Sequence, residues 1–217
     1  MAIDAWLLQQ HSLGNSPPTL RFYRWSSPTI SLGYHQRRYP DFWNGLTWEG
    51  KAIDLVRRPT GGRAVLHHGD LTYAVVTSGL SGNLHRQYEQ ICRFLIEGWR
   101  SLGVELHYGE AGRGYIHSPN CFGIATAADL VDSTGNKPLG SAQLRRGNFL
   151  LQHGSMRVSD DRDLFERVFG TVAPSPLIVD PEKAIETLKT SAGECFGCRF
   201  VSAPLTDEEW RAIESSK

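Results

Sequence analysis

Apolar positions along this chain recur at two periods, and the switches between them mark out its elements. Ile3, Trp6, Leu7 and Leu13 fall at helical spacing over residues 1–13, and Gly14 is placed to stop that helix. LRFYRW (20–25) and TISLGY (29–34) alternate, and read as a pair of strands joined through Ser26, Ser27 and Pro28. Residues 41–50 carry no clear period and are expected to be irregular. AIDLV (52–56) and LTYAVV (71–76) are rich in β-branched residues and read as buried strands. The strongest helical signal follows over residues 85–102, where Tyr88, Ile91, Cys92, Leu95, Ile96, Trp99 and Leu102 form one broad apolar stripe. Gly103 closes it, and VELHY (104–108) predicts a strand. After a glycine-rich turn, CFG (121–123) leads into AADLV (127–131), and KPLGSAQ (137–143) and NFLLQHGSM (148–156) predict further strands. Residues 160–170 suggest a short helix with Leu164, Phe165 and Val168 on one face, and one or two helices follow Pro181. Strands in pairs with interspersed helices predict an α+β (α/β) fold, a mixed β-sheet flanked by helices rather than a doubly wound parallel one. A single domain over 1–217 is expected, with its core in about 1–170 and a short helical tail at 171–217.

Composition narrows the function. With 40% hydrophobic residues among 217, the chain can bury a sizeable core. Lys plus Arg and Asp plus Glu are both 23, so no net charge recruits nucleic acid or a membrane. Neither a basic leader nor a long apolar run is visible, which predicts a cytoplasmic protein. Four cysteines, Cys92, Cys121, Cys195 and Cys198, are too few and too unevenly spread for a disulfide framework. No GxGxxG opens a helix and no GxxxxGK[ST] is present, so the common nucleotide-binding folds are unsupported.

The stretch RRPTGGRAVLHHGDLTYAVV (57–76) carries the densest candidate chemistry. Gly61 and Gly62 let a backbone pass close to a ligand, and Arg57, Arg58 and Arg63 offer forks suited to phosphate or carboxylate. An ordinary hairpin with solvated arginines is the alternative. Cys121, in SPNCFG, is a candidate nucleophile, and Lys137 begins the next strand after a hairpin-like turn that would return it beside Cys121. A half-buried structural cysteine is the other reading. Cys92 lies on a helix stripe and belongs to the core. Cys195 and Cys198 form a C-x-x-C without a second ligand pair, so no metal site is called. His67 and His68 would point to opposite faces of a strand, leaving at most one in a pocket, and His153 ends a strand beside a glycine. Gly140, Ser141 and Ala142 put small residues mid-strand, where a ligand can approach.

LRFYRWSSPTISLGYHQ (20–36), RRPTGGRAVLHHGDLTYAVV (57–76), CFG (121–123) and NKPLGSAQLRRGNFLLQHGS (136–155) together resemble, in order and spacing, the biotin/lipoate protein ligase superfamily. The resemblance implies that family's catalytic-domain fold, similar to class II synthetases, with an acyl tunnel over the RR-x-TGG turn and the K-x-x-GSA strand. Arg63 after the glycine pair, Cys121, Gln143 and the Gln152-His153 pair look like the cysteine-dependent octanoyltransferases rather than the ATP-dependent lipoate ligases. Two positions depart from that pattern: His68-Gly69-Asp70 stands where an acidic residue usually follows the histidine directly, and Pro138 replaces an aliphatic residue. The resemblance implies transfer of octanoate from octanoyl-acyl carrier protein to one lysine of a lipoyl carrier domain, on the glycine cleavage H protein or a 2-oxoacid dehydrogenase E2. Cys121 and Lys137 would be catalytic, and Arg58, Gly61, Gly62, Arg63, Ala64, His67, Gly140, Ser141, Ala142, Gln143 and His153 would bind substrate. No cofactor would be required. ATP and magnesium enter only if the chain is instead a lipoate-protein ligase, and a catalytically silent module binding acyl carrier or lipoyl domains is a third reading.

Overall fold

The structure is a computed structural model describing residues 1–109, 129–158 and 162–215. Five helices and eleven strands are described. The chain begins with α1 (Ala2–Ser12), then β1 (Thr19–Tyr23) and β2 (Thr29–Leu32). A 3-10 turn (Asp41–Trp43) precedes β3 (Thr47–Trp48), β4 (Lys51–Ala52) and β5 (Asp54–Arg57). β6 (Val65–His67), β7 (Leu71–Ser78), α2 (Leu84–Ser101) and β8 (His107–Tyr108) follow. The remainder is β9 (Leu130–Val131), β10 (Leu139–Arg146), β11 (Phe149–Met156), α3 (Arg162–Phe169), α4 (Pro181–Phe196) and α5 (Asp207–Ser215).

The main sheet has six strands in the order β1-β7-β11-β10-β9-β8, every pair antiparallel. A second sheet, β5-β2-β6, is mixed, with β2 parallel to β5 and antiparallel to β6. β3, inside the 41–50 segment expected to be irregular, pairs with β4 in a small ribbon. One sequence expectation is corrected here, and one alternative falls. β1 and β2 do not pair with each other: β1 pairs β7 in one sheet and β2 lies between β5 and β6 in the other. The Ser-Ser-Pro connection carries the chain from one sheet to the next, and period-2 alternation specifies a strand's faces without naming its neighbour. For the same reason the runs flanking the Gly-Gly turn are not a hairpin, because β5 and β7 belong to different sheets.

Strand β7 shows why the layers form. Leu71, Tyr73 and Val75 face one side and join Tyr88, Ile91, Cys92, Phe94, Leu95 and Trp99 of α2 in the largest core cluster. Ala74 and Val76 face the other side and pack with Leu7 and Leu8 of α1 and Leu151 of β11. A strand covered on both faces is apolar at nearly every position, and in LTYAVV the polar exception is Thr72, which lines a cavity. α2 starts at Asn83, whose side chain caps the Arg86 amide. α4 crosses α2 where Gly98 leaves room, since a Cβ there would sit 2.8 Å from Leu188 Cδ2. Ala184, Leu188 and Ala192 thereby enter the main core. A separate cluster holds the second sheet against α3 through Ile30, Trp43, Leu66, Leu164, Phe165 and Val168. No helix among the described residues is long and apolar enough to cross a membrane.

Candidate active site

The two sheets meet at a cavity of about 90 Å³, to which each contributes polar side chains from strand positions next to the seam. Ser31 of β2 and Arg58 and His67 line it from the small sheet, and Thr72, His153 and Ser155 from the large one. Gly140, Ser141 and Ala142 of β10 form another wall, as their small side chains implied.

The Gly-Gly turn is locked from within. Gly33 passes so close that a Cβ on it would lie 1.9 Å from the Gly62 carbonyl oxygen, so only glycine fits. Arg58, 4% exposed, donates from Nη1 to the Ser31 carbonyl at 2.9 Å, and from Nε and Nη2 to the Gly61 carbonyl at 3.1 and 2.8 Å. Its Nη2 also reaches the Arg63 carbonyl at 2.6 Å. Arg57 Nη1 donates to the Gly33 and Gln36 carbonyls at 2.8 and 2.9 Å. These guanidiniums tie main chain to main chain. Arg63 is half-buried on the turn, and Ala64 is buried in the core of the second sheet.

Two histidines enter the cavity, each backed by a buried aspartate. His67 donates from Nδ1 to Asp70 Oδ2 at 2.8 Å, and its Nε2 accepts from the Ser31 hydroxyl at 2.8 Å. Trp25 stacks on the imidazole with ring centroids 4.2 Å apart, and its Nε1 donates to Thr72 Oγ1. Ser155 and Thr72 also donate to Asp70 Oδ2, at 2.7 and 3.2 Å. Burial alone would raise the Asp70 carboxyl, but the pull of His67 and these hydrogen bonds outweigh it and hold it below the usual carboxylate range. On the other side His153 donates from Nδ1 to Asp4 Oδ2 at 3.2 Å and accepts from Thr60 Oγ1 at 2.6 Å. Burial pushes the His153 imidazole down against the pull of Asp4. Asp4 also ion-pairs with Arg21 and accepts from the Tyr23 hydroxyl at 3.0 Å. Burial would raise its carboxyl, yet His153 and Arg21 hold it at about 2.

Lys137 is 3% exposed and its Nζ lies 2.9 Å from Asp129 Oδ1, an ion pair removed from water. Asp129 lines the cavity, so the pair stands at its wall. Cys121 lies outside the described residues. Gln143 donates to Gln152 Oε1 at 2.7 Å, and Gln152 in turn donates to the Tyr73 hydroxyl, which meets Ser141 Oγ at 2.7 Å. Cys92 sits in the core, and burial pushes its thiol up to about 12, which removes it from any nucleophilic role. Cys195 is half-buried and Cys198 exposed at the end of α4.

The structure therefore gathers Arg58, Gly62, His67, Gly140, Ser141, Ala142 and His153 around one cavity and selects His67 over His68 as the histidine that enters it. Gly61 sits on the same turn with open space around its Cβ position. Sequence reasoning missed Asp4, Ser31, Asp70 and Asp129. Asp70 had a visible signal: Gly69, at φ 71°, turns the chain so that an acid three residues from the histidine returns to it. Asp4 and Ser31 had none, being polar positions in an amphipathic helix and a short strand with nothing in the pattern to single them out.

A model of the lipoyl protein ligase A/B catalytic domain matches residues 1–190. The chain is 36% identical to the octanoyltransferase LipM of Kyrpidia tusciae, across 99% of this chain and 88% of that one. It is 41% identical to the octanoyltransferase LipM of Carboxydothermus hydrogenoformans, across 77% of this chain, although the match spans only 63% of that relative's length. Among solved structures, lipoate-protein ligase A bound with ATP superposes with a TM-score of 0.78 at 24% identity, covering 99% of this chain and 86% of that one. The bipartite lipoate protein ligase of Thermoplasma acidophilum, studied with its E2 lipoyl domain, gives 0.72 at 22% identity, covering 98% and 86%. The fold is that of the lipoate ligase catalytic domain, and the chain belongs to the lipoyl protein ligase A/B catalytic-domain family.

Proposed function

We propose that this protein is an octanoyltransferase: it moves an octanoyl group from octanoyl-acyl carrier protein to a lysine of a lipoyl carrier domain through an acyl-enzyme on Cys121. The observation that carries the reading is the use of the Arg57 and Arg58 guanidiniums on main-chain carbonyls beside the cavity. A ligase would direct such cations at an adenylate phosphate, whereas acyl transfer between thioesters makes no such demand. The names of the relatives from Kyrpidia and Carboxydothermus support the same choice.

In this mechanism Lys137, held by Asp129, stabilises the Cys121 thiolate. The thiolate attacks the octanoyl carbonyl, the carrier's pantetheine thiolate leaves, and the new thioester stores the acyl group without ATP. The carrier-domain lysine then attacks, an amide forms, and the cysteine sulfur is released. The wall formed by Gly140, Ser141 and Ala142, with Gly61 and Gly62 opposite, would hold the alkyl chain. Burying six methylenes at about 0.8 kcal/mol each contributes on the order of 5 kcal/mol before other costs. Acceptors would be the glycine cleavage H protein or a 2-oxoacid dehydrogenase E2, and the setting the cytoplasm.

Mass spectrometry tests this directly. Incubation with octanoyl-acyl carrier protein and no ATP should add one octanoyl group to Cys121, and Cys121→Ala should abolish both adduct and transfer. An unmodified Cys121, together with lipoate-dependent ATP–pyrophosphate exchange, would establish a ligase instead.

A further inference from the structure

The second half of the proposed reaction has a proton problem. A lysine reaches the acyl-enzyme as an ammonium, and becoming an amide nitrogen costs it two protons. The departing cysteine sulfur takes one; the other needs a base. Lys137 is already committed to an ion pair with Asp129.

We infer that the chain Ser31–His67–Asp70 is that proton acceptor, with the Ser31 hydroxyl as its contact with the incoming lysine. Ser31 and His67 both open on the cavity that Asp129 lines. The Ser31 hydroxyl lies 2.8 Å from His67 Nε2, and Asp70 Oδ2 holds the opposite ring nitrogen at 2.8 Å, leaving Nε2 as the acceptor. Arg58 Nη1 sits 3.3 Å from Ser31 Oγ and orients that oxygen so that its hydrogen faces the imidazole. Asp70 Oδ2, already on His67 Nδ1 at 2.8 Å, is the carboxylate oxygen that a newly formed imidazolium would meet. Arg157 shares that field. The step balances: one ammonium proton passes to Ser31 Oγ as the serine proton passes to His67 Nε2, the amine nitrogen bonds the acyl carbon, and the carbon–sulfur bond breaks with its electrons on the Cys121 sulfur, which takes the second nitrogen proton and leaves as the thiol.

This inference rests on the acyl-transfer reading, and the test separates the two. Acyl-enzyme made with octanoyl-acyl carrier protein is isolated and discharged in parallel by an E2 lipoyl domain and by hydroxylamine, a nucleophile that is unprotonated at neutral pH and needs no base. In His67→Gln the ratio of lysine transfer to hydroxylamine discharge should fall at least about 100-fold. Ser31→Ala and Asp70→Asn, the latter a change in a positioning residue, should lower the same ratio, with melting curves confirming that each variant is folded. Equal losses toward both nucleophiles, or an unchanged ratio, would overturn the assignment. Failure of the unaltered protein to acylate Cys121 would remove the acyl-transfer reading itself, and this inference with it.

Discussion

Gly33 and Gly61 stand at one turn and differ completely in what they tolerate. A methyl group on Gly33 would collide with the Gly62 carbonyl at 1.9 Å, backbone against backbone, with nothing flexible to yield. Gly33→Ala should cost about 3 kcal/mol or more and open the cavity, while Gly61→Ala, with no atom within 4 Å, should stay within about 1 kcal/mol in urea titrations. The Lys137–Asp129 pair makes a second residue-scale prediction. Lys137→Met removes the ion-pair partner of a buried carboxylate and should cost about 3 to 5 kcal/mol, much of it recovered by adding Asp129→Asn; denaturant midpoints of both variants decide. A third concerns acid. Asp4 is held at about 2, below its ordinary value of 3.8, so its contribution is full above pH 3.8 and disappears as pH falls through 2. That difference amounts to about 2 kcal/mol, and Asp4→Asn should flatten this part of the stability–pH curve. Much of this scale was legible. The small residues of β10 and the Gly-Gly turn declared a close approach, and adjacent histidines declared that only one could enter. Asp4 and Asp129 were not legible, because a lone acid in an amphipathic helix or a loop carries no periodic signature and its partner is set by the fold; only Asp70 was signalled, by the Gly69 turn beside His67.

Elements were read better than their pairing. The apolar stripe of α2 was legible because 3.6-residue periodicity is local, and the structure places its ends within one residue of the expected ones. The alternation of β1 and β2 marks both as strands but suggests that they pair with each other, since alternation fixes which face is buried and not which edge is shared. VELHY shrinks to His107–Tyr108, whose partners among the described residues are Val131 and Leu130. The crossing of α2 and α4 is where an element-scale prediction belongs. Leu188 is fully buried against Gly98, so Leu188→Ala should cost about 2 to 5 kcal/mol in a single cooperative transition that also melts α2. Separate transitions for α4 and for the sheet would contradict it.

At the scale of the whole molecule, the cavity belongs to neither sheet alone. The small sheet supplies Ser31, Arg58 and His67, the large one supplies His153 and Ser155, and α1 supplies Asp4 behind them. Between His67 and Leu71 the chain crosses from one sheet to the other, and Asp70 rides on that crossing. The resemblance to lipoate ligases made the family readable from four short motifs, and the three that fall on described residues, 20–36, 57–76 and 136–155, hold strands and turns that meet here.

That crossing also sets an order of events during folding. β7 is flanked on both sides, by β1 from early in the chain and β11 from late in it, so its ladder closes only after about 80 residues have been brought together. The polar chain of the site hangs on the start of that ladder. Catalytic competence should therefore return as a late kinetic phase, after the helical signal of α2 has recovered, and the amides of β7 should exchange with solvent only through global unfolding.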